Sequence, residues 1–427
     1  MLGPPGPWLL CAVFVLALEG VALLCSESVL REAFEGRAPG WLTSWVAAHE
    51  GRTPAGVRAG TLAHLRSLQL AAVALLALYL AVRVHLAAGL RPRSLPITVL
   101  AWWLGVELLV APHLSFGDWN IHYRILRNLD HRPTQVGGGF NSDSVVAREE
   151  SGAFRPEDFN LIFLGDSFTM GLGVDPGTEA FPVLVGDALA ARHPAERFHT
   201  ANFGWVSSSP FLSHRRLVDS GARYAPDLVV LAVDMTDFAD DLRYQRVLER
   251  HGIYWLYDKI PLTLRLVQAI APVTLRRVAA WSVGGIPARR FFVTDAPLEE
   301  TRRWMDPLAE NCDRVAAWCR EQGARFVLVV LPRSYQYSAR EAPRDRDARE
   351  YAVLGPYCLE PFRFFDELRP TKDYPIVSLL DDFRANTEFP TCFEDDAHWT
   401  PLGHRVAARA LVRELAPIVD EILAHGR

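Results

Sequence analysis

Asn160-Leu-Ile-Phe-Leu-Gly-Asp-Ser-Phe-Thr-Met-Gly-Leu-Gly-Val174 is the stretch whose reading decides the fold. Four apolar residues, Leu161 to Leu164, read as a buried strand, and the strand stops at Gly165-Asp166-Ser167. Glycines follow at Gly171 and Gly173. A serine hydroxyl is thereby set at the carboxyl end of a strand, where open α/β sheets place their ligands. Far downstream, Asp395-Asp-Ala-His-Trp399 brings carboxylate and imidazole into one short loop. A nucleophilic serine needs a base, and the base needs an orienting group.

Outward from this stretch, short apolar runs alternate with helical patterns. Strands are expected at 161–164, 197–202, 227–233, 325–331 and 375–380. Helices are expected at 181–191, 211–224 and 301–322, with a last one from a Thr400 cap and Pro401 to about Ile422, kinked or broken at Pro417. Fully apolar strands separated by helices predict a parallel sheet covered on both faces. A segment at about 240–300 interrupts the rhythm and reads as an insertion, either a lid over the site or an excursion onto the sheet edge or a membrane. It carries Trp255, Tyr257, Phe291 and Phe292. Residues 113–157 read as a connector.

The front of the chain differs in character. Three nearly uncharged runs, at 8–25, 67–87 and 95–112, are each near the roughly 20 residues that cross a bilayer. The expectation is a membrane region over 1–112 with about three transmembrane helices. Arg83, Arg91 and Arg93 cluster around the loop between the second and third runs, which favours that loop as cytoplasmic. The rest of the chain is then extracytoplasmic or periplasmic, although Arg124 and Arg127 pull the other way. A net charge of -5 without a basic tract points away from nucleic acid. Cys312 and Cys319 are about 10.5 Å apart along one helix, too far to bridge. Cys358 and Cys392 either pair in an oxidising compartment or stay as two buried thiols.

Gly165-Asp-Ser-Phe-Thr-Met-Gly-Leu-Gly173 and Asp395-Asp-Ala-His-Trp-Thr-Pro-Leu-Gly-His404 together resemble the SGNH (GDSL) hydrolase superfamily over roughly residues 158–424. The resemblance implies a flavodoxin-like three-layer αβα sandwich with a mostly parallel sheet, occupying 158–427. It also implies Ser167 as nucleophile, His398 as base and Asp396 as the acid, with Asp395 the other candidate. Members linked to membranes and resembling acetyltransferases share the Asp-x-His-Trp spacing that favours Asp396. The middle blocks depart from the pattern. Ser207 stands where relatives carry an oxyanion-hole glycine after Asn202, and Thr236 stands where they carry an asparagine. The implied oxyanion donors are Ser167, Ser207 and Thr236, and losing one donor is worth about 3 kcal/mol.

Several further residues are candidates for shaping the substrate site: Asp166, Asp237, Trp205 and Trp399. The tryptophans are candidates for stacking on a sugar ring, with buried packing the competing role. Asp237, Asp240 and Asp241 read as solvated carboxylates of a loop, not as a metal site, and no metal or cofactor is expected. His404 reads as a hydrogen-bonding residue at a helix start. The expected reaction is hydrolysis of acyl or acetyl esters on carbohydrate or lipid. Its rivals are O-acetyl transfer to an exported polysaccharide and a degenerate domain that binds glycan. The expected partners are an acyl ester, with carbohydrate esters among the candidates, and the lipid bilayer.

Overall fold

The computed structural model describes residues 76, 78–89, 94–109, 139–250, 252–255, 263–264, 267, 271–287, 289–341, 347–348 and 350–425. The chain divides into two compact units. In the larger, the described residues are 139–250 and those from 284 onward; in the smaller, those up to 109 and 252–283.

The larger unit is built on five parallel strands. They are β1 (Phe159–Leu164), β2 (Phe198–Asn202), β3 (Leu228–Val233), β4 (Arg325–Val330) and β5 (Ile376–Ser378), in the order β2-β1-β3-β4-β5. β1 and β3 are buried along their whole length, as strands covered on both faces must be. The register pairs Ile162 with Val229 and Val230 with Val327, so the central strands stack one continuous aliphatic layer. The order reverses between β1 and β3, and the crevice at their carboxyl ends is where such sheets hold ligands.

The smaller unit contributes α1 (Leu95–Leu109), which lies within the third expected span. It has 15 described residues, and the rest of that expected span, from 110 to 112, lies outside the described residues. Among the described residues no helix is long and apolar enough to cross a membrane. The run at 8–25 and positions 67–75 and 77 of the second run lie outside the described residues, as do Arg91, Arg93, Arg124, Arg127 and Tyr257. In this unit Ile97, Leu100 and Trp281 are exposed, whereas Glu107 is buried and accepts from the amide and hydroxyl of Thr263.

The helices of the larger unit are α2 (Ser167–Met170), α3 (Phe181–Arg192), α4 (Pro210–Ser220), α5 (Asp237–Arg250), α7 (Leu298–Glu321), α8 (Ser334–Tyr337), α9 (Glu360–Leu368), α10 (Leu380–Ala385) and α11 (Pro401–His425); α6 (Pro272–Ser282) belongs to the smaller unit. Four expectations are corrected here. Asp237, Asp240 and Asp241 are not solvated loop carboxylates: all three are buried on the first turns of α5, where Phe238 and Leu242 carry the helix into the core. The insertion is narrower than 240–300, because α5 belongs to the larger unit and Phe291 and Phe292 are buried in it. The later part of the 113–157 connector is structural: Val145 and Val146 are buried, and Val146 exchanges both backbone bonds with Asn202 beside β2. Finally, of the kink or break expected at Pro417 there is no break: α11 runs through it to His425, because Leu411, Leu415 and Val419 hold it in the core. Cys312, Cys319, Cys358 and Cys392 are buried free thiols.

Candidate active site

β1 delivers Ser167 through a turn that only glycine fits. Gly165 has φ +150, and a Cβ there would lie 2.2 Å from Thr169 Oγ1 and 2.8 Å from the Ala232 carbonyl oxygen. Asp166 then caps α2, its Oδ1 accepting the Phe168 amide at 2.9 Å. Gly171, left-handed at φ 88, closes the single turn. Asn202 at the end of β2 fastens the turn from the side. Its Nδ2 donates to the Thr169 carbonyl at 2.7 Å, and its Oδ1 accepts the Gly204 amide at 2.9 Å.

The other half arrives on the loop before α11. Thr391 and Cys392 run antiparallel to Trp399 and Thr400, with Cys392 bridged to Trp399 and the Thr400 amide donating to the Thr391 carbonyl at 2.9 Å. This ladder closes a short loop whose carboxyl end carries His398. His398 Nε2 lies 2.7 Å from Ser167 Oγ across 231 positions of sequence. The Asp396 carboxylate meets His398 Nδ1 and also accepts the His398 amide at 3.0 Å. The carboxylate on the ring is therefore that of Asp396; Asp395 sits half-buried one residue earlier. Phe168 packs on the imidazole with ring centroids 5.0 Å apart, which fixes the ring from the side of the serine.

The remaining candidates separate. Ser207 is left-handed at φ 57, a conformation that favours the glycine carried there in the family pattern. Thr236 is corrected as an oxyanion donor. Its hydroxyl donates to Asp234 Oδ1 at 2.6 Å and accepts from Arg333 Nη2 at 3.3 Å, so its one proton is committed away from Ser167. Trp399 is corrected as a sugar platform: it is 0% exposed, sandwiched among Phe168, Phe181 and Phe383. Trp205 is half-buried, with the Arg216 guanidinium 5.9 Å from its ring centre. Asp237 is buried and accepts the Asp234 amide at 2.7 Å, which makes it a brace of the turn after β3. His404 is buried at the start of α11, its Nδ1 accepting the Phe181 amide at 3.2 Å.

Behind the serine lies a buried charge network that the sequence does not announce. Arg333, after β4, places Nε and Nη2 each 2.7 Å from Asp234 Oδ2 and stacks 5.1 Å over the Phe168 ring. Burial pushes the Asp234 carboxyl up, but the guanidinium and the Thr236 bonds hold it below the usual carboxylate range. Burial, and then the charge of Asp234, pushes Asp166 up to about 7. Burial likewise raises Asp237 well above the ordinary range, with the charges of Asp166 and Asp234 adding to it. No group of three or more His, Cys, Asp or Glu side chains suited to a metal ion occurs among the described residues. A cavity of about 700 Å³ beside β2, lined by Arg148, Asp187 and Phe198, holds none of the residues brought together here.

Solved structures similar to this chain include esterases and hydrolases. An acetylxylan esterase from Geobacillus stearothermophilus is 15% identical, with a TM-score of 0.35 over 61% of this chain and 96% of that one. An α/β hydrolase from the metagenome of Lake Arreo is also 15% identical, with a TM-score of 0.35 over 61% and 97%. A putative lipolytic protein of the G-D-S-L family from Desulfitobacterium hafniense is 12% identical, with a TM-score of 0.32 over 59% and 97%. No family model matches the chain, and no curated protein does.

Proposed function

We propose that this chain is a serine-dependent ester hydrolase of the SGNH type. The observation that carries the reading is the 2.7 Å contact between Ser167 Oγ and His398 Nε2, with the Asp396 carboxylate on the opposite ring nitrogen. Nucleophile, base and orienting acid stand in the order that acyl transfer requires.

In the proposed reaction His398 Nε2 takes the Ser167 proton as Oγ attacks the ester carbonyl. Asp396 holds the Nδ1–H tautomer and stabilises the imidazolium. The collapsing tetrahedral intermediate expels the alcohol, which His398 protonates. Water, activated by the same nitrogen, then attacks the acyl-serine and releases the acid. The Ser167 amide heads the single turn of α2, where an N–H has no intrahelical acceptor, and is the first oxyanion donor; the Ser207 amide is the second. Substrates of the reading are O-acyl or O-acetyl esters of carbohydrate or lipid, met outside the cytoplasm by a membrane-anchored chain.

One observation favours a second reading, a domain that binds an ester or glycan with little turnover. The Thr236 hydroxyl donates to Asp234, and an oxyanion site lacking one donor loses roughly 100- to 1,000-fold in kcat. Both readings meet the same test. The purified chain is given p-nitrophenyl acetate with and without an acceptor sugar. Hydrolysis that disappears in Ser167→Ala supports the esterase, and acetyl appearing on the sugar identifies transfer. Turnover unchanged in Ser167→Ala overturns the proposal.

A further inference from the structure

The segment after β4 fastens both halves of the site. At its start Arg333 pairs with Asp234 and stacks on Phe168, next to Ser167. At its end Glu341 is buried and grips the segment leading to His398. Glu341 Oε1 accepts the Thr391 amide at 2.8 Å and the Thr391 hydroxyl at 2.7 Å, and Oε2 accepts the Cys392 amide at 3.2 Å. The Tyr337 hydroxyl, on α8 between them, donates to Thr391 Oγ1 at 2.7 Å, since the Thr391 proton is already given to Glu341. Thr391 and Cys392 form one side of the ladder whose other side is Trp399 and Thr400. His398 is the residue next to that ladder, and its carbonyl accepts the Phe393 amide at 3.0 Å.

We infer that Glu341 is a positioning residue for the reaction proposed above, acting through Thr391 and Cys392 to hold His398 within reach of Ser167. The inference rests on that reading of the site. The physical ground is economy of partners. One carboxylate takes two successive backbone amides and a hydroxyl, so both lateral and rotational freedom of the 391–392 segment are removed at a single point. A base displaced by about 1 Å from its nucleophile loses roughly 100-fold in rate. Neither Arg333 nor Glu341 touches the reacting atoms; together they tie two turns distant in sequence to one short stretch of chain.

The test uses the full chain and two substitutions that reach the loop from different partners. Glu341→Gln keeps the side-chain volume but faces a donor NH2 toward one of the three donors. Thr391→Val removes the hydroxyl from the same contact. In both, kcat for p-nitrophenyl acetate falls roughly 10- to 100-fold for Glu341→Gln and less for Thr391→Val, with KM within about twofold. The deciding measurement repeats Glu341→Gln in a His398→Ala background. If Glu341 acts through the imidazole, the substitution there changes the residual rate by less than about twofold. An equal loss in both backgrounds, or wild-type kcat in Glu341→Gln, overturns the inference. Circular dichroism at the assay temperature separates misfolding from misplacement; should Glu341→Gln fail to fold, Thr391→Val with and without His398→Ala carries the same decision. Turnover that survives Ser167→Ala would instead overturn the reaction itself, a distinct result.

Discussion

Asp166 holds the Phe168 amide with one oxygen while the other lies 3.4 Å from Ser167 Oγ. With burial as the leading cause, its carboxyl titrates at about 7, neutral below and anionic above. An anion beside the serine opposes the negative charge of the tetrahedral intermediate, so kcat/KM should fall as the pH rises through 7. Asp166→Asn keeps the cap and abolishes that titration; a pH–rate profile of the variant that still declines at the same place would remove Asp166 as the cause. His404 works in the opposite direction, on stability. Burial, then the charge of His398, lowers it from 6.5 to about 3. Between those values the unfolded chain binds a proton the folded chain does not, so stability is lost as the pH falls, by up to about 1.4 kcal/mol per unit. Urea unfolding of His404→Gln should show a shallower decline with acidification over this window than the parent does. At this scale the sequence pointed to Ser167 and His398, which the structure brings together, because each sits in a short block whose neighbours explain it; it left Asp396 and Asp395 both open. Arg333 and Glu341 gave no such signal: their partners are far away in sequence, and the chain is rich in arginine. Trp399 misled for the same reason in reverse, since its burial is made by Phe181 and Phe383 and not by its neighbours.

Among the elements, strands were easiest to read. Continuous Val/Leu/Phe runs bounded by Gly, Pro or Asp have few other uses in a chain of this size. α5 was missed because Asp-Phe-Ala-Asp-Asp-Leu-Arg looks like a polar loop; its burial comes from acids satisfied within the fold, Asp241 accepting the Phe211 amide and Asn311 Nδ2. α11 ran unbroken through an expected kink or break. Pro417 is exposed in the interior of that helix, so the turn around it tolerates a missing amide only because packing on either side holds it. Pro417→Ala restores the donor and should raise the unfolding free energy by about 1–3 kcal/mol in urea titration. No gain would mean that the helix already bends there at no expense.

The two units of the molecule differ in what they expose. Large apolar side chains face outward along Leu78 to Leu86, along α1 and at Trp281, all in the smaller unit, whereas the larger unit hides nearly all of its own. The excursion at 252–283 leaves the larger unit at Arg250 and returns at Gly284, beside the tip of the Arg250 side chain. A Cβ on Gly284 would lie 2.1 Å from Arg250 Nη1. Replacing residues 251–283 by about four Gly and Ser residues, a reach of about 13 Å, should leave the sheet folded and p-nitrophenyl acetate hydrolysis within a few-fold of the parent. Loss of hydrolysis with retained fold would assign the excursion a part in the site. The sequence marked this region as an interruption but set its edges too wide, since α5 and Phe291 lie inside the interval yet pack with the sheet.

The parallel order β2-β1-β3-β4-β5 also has a temporal side. A ribosome synthesises Ser167 and then 231 more positions before His398 exists. At 5–20 residues per second that interval is on the order of ten to fifty seconds. Throughout it the nascent chain carries Ser167 without the His398 imidazole, so under the reaction proposed above the serine has no partnered base until the last helix is made.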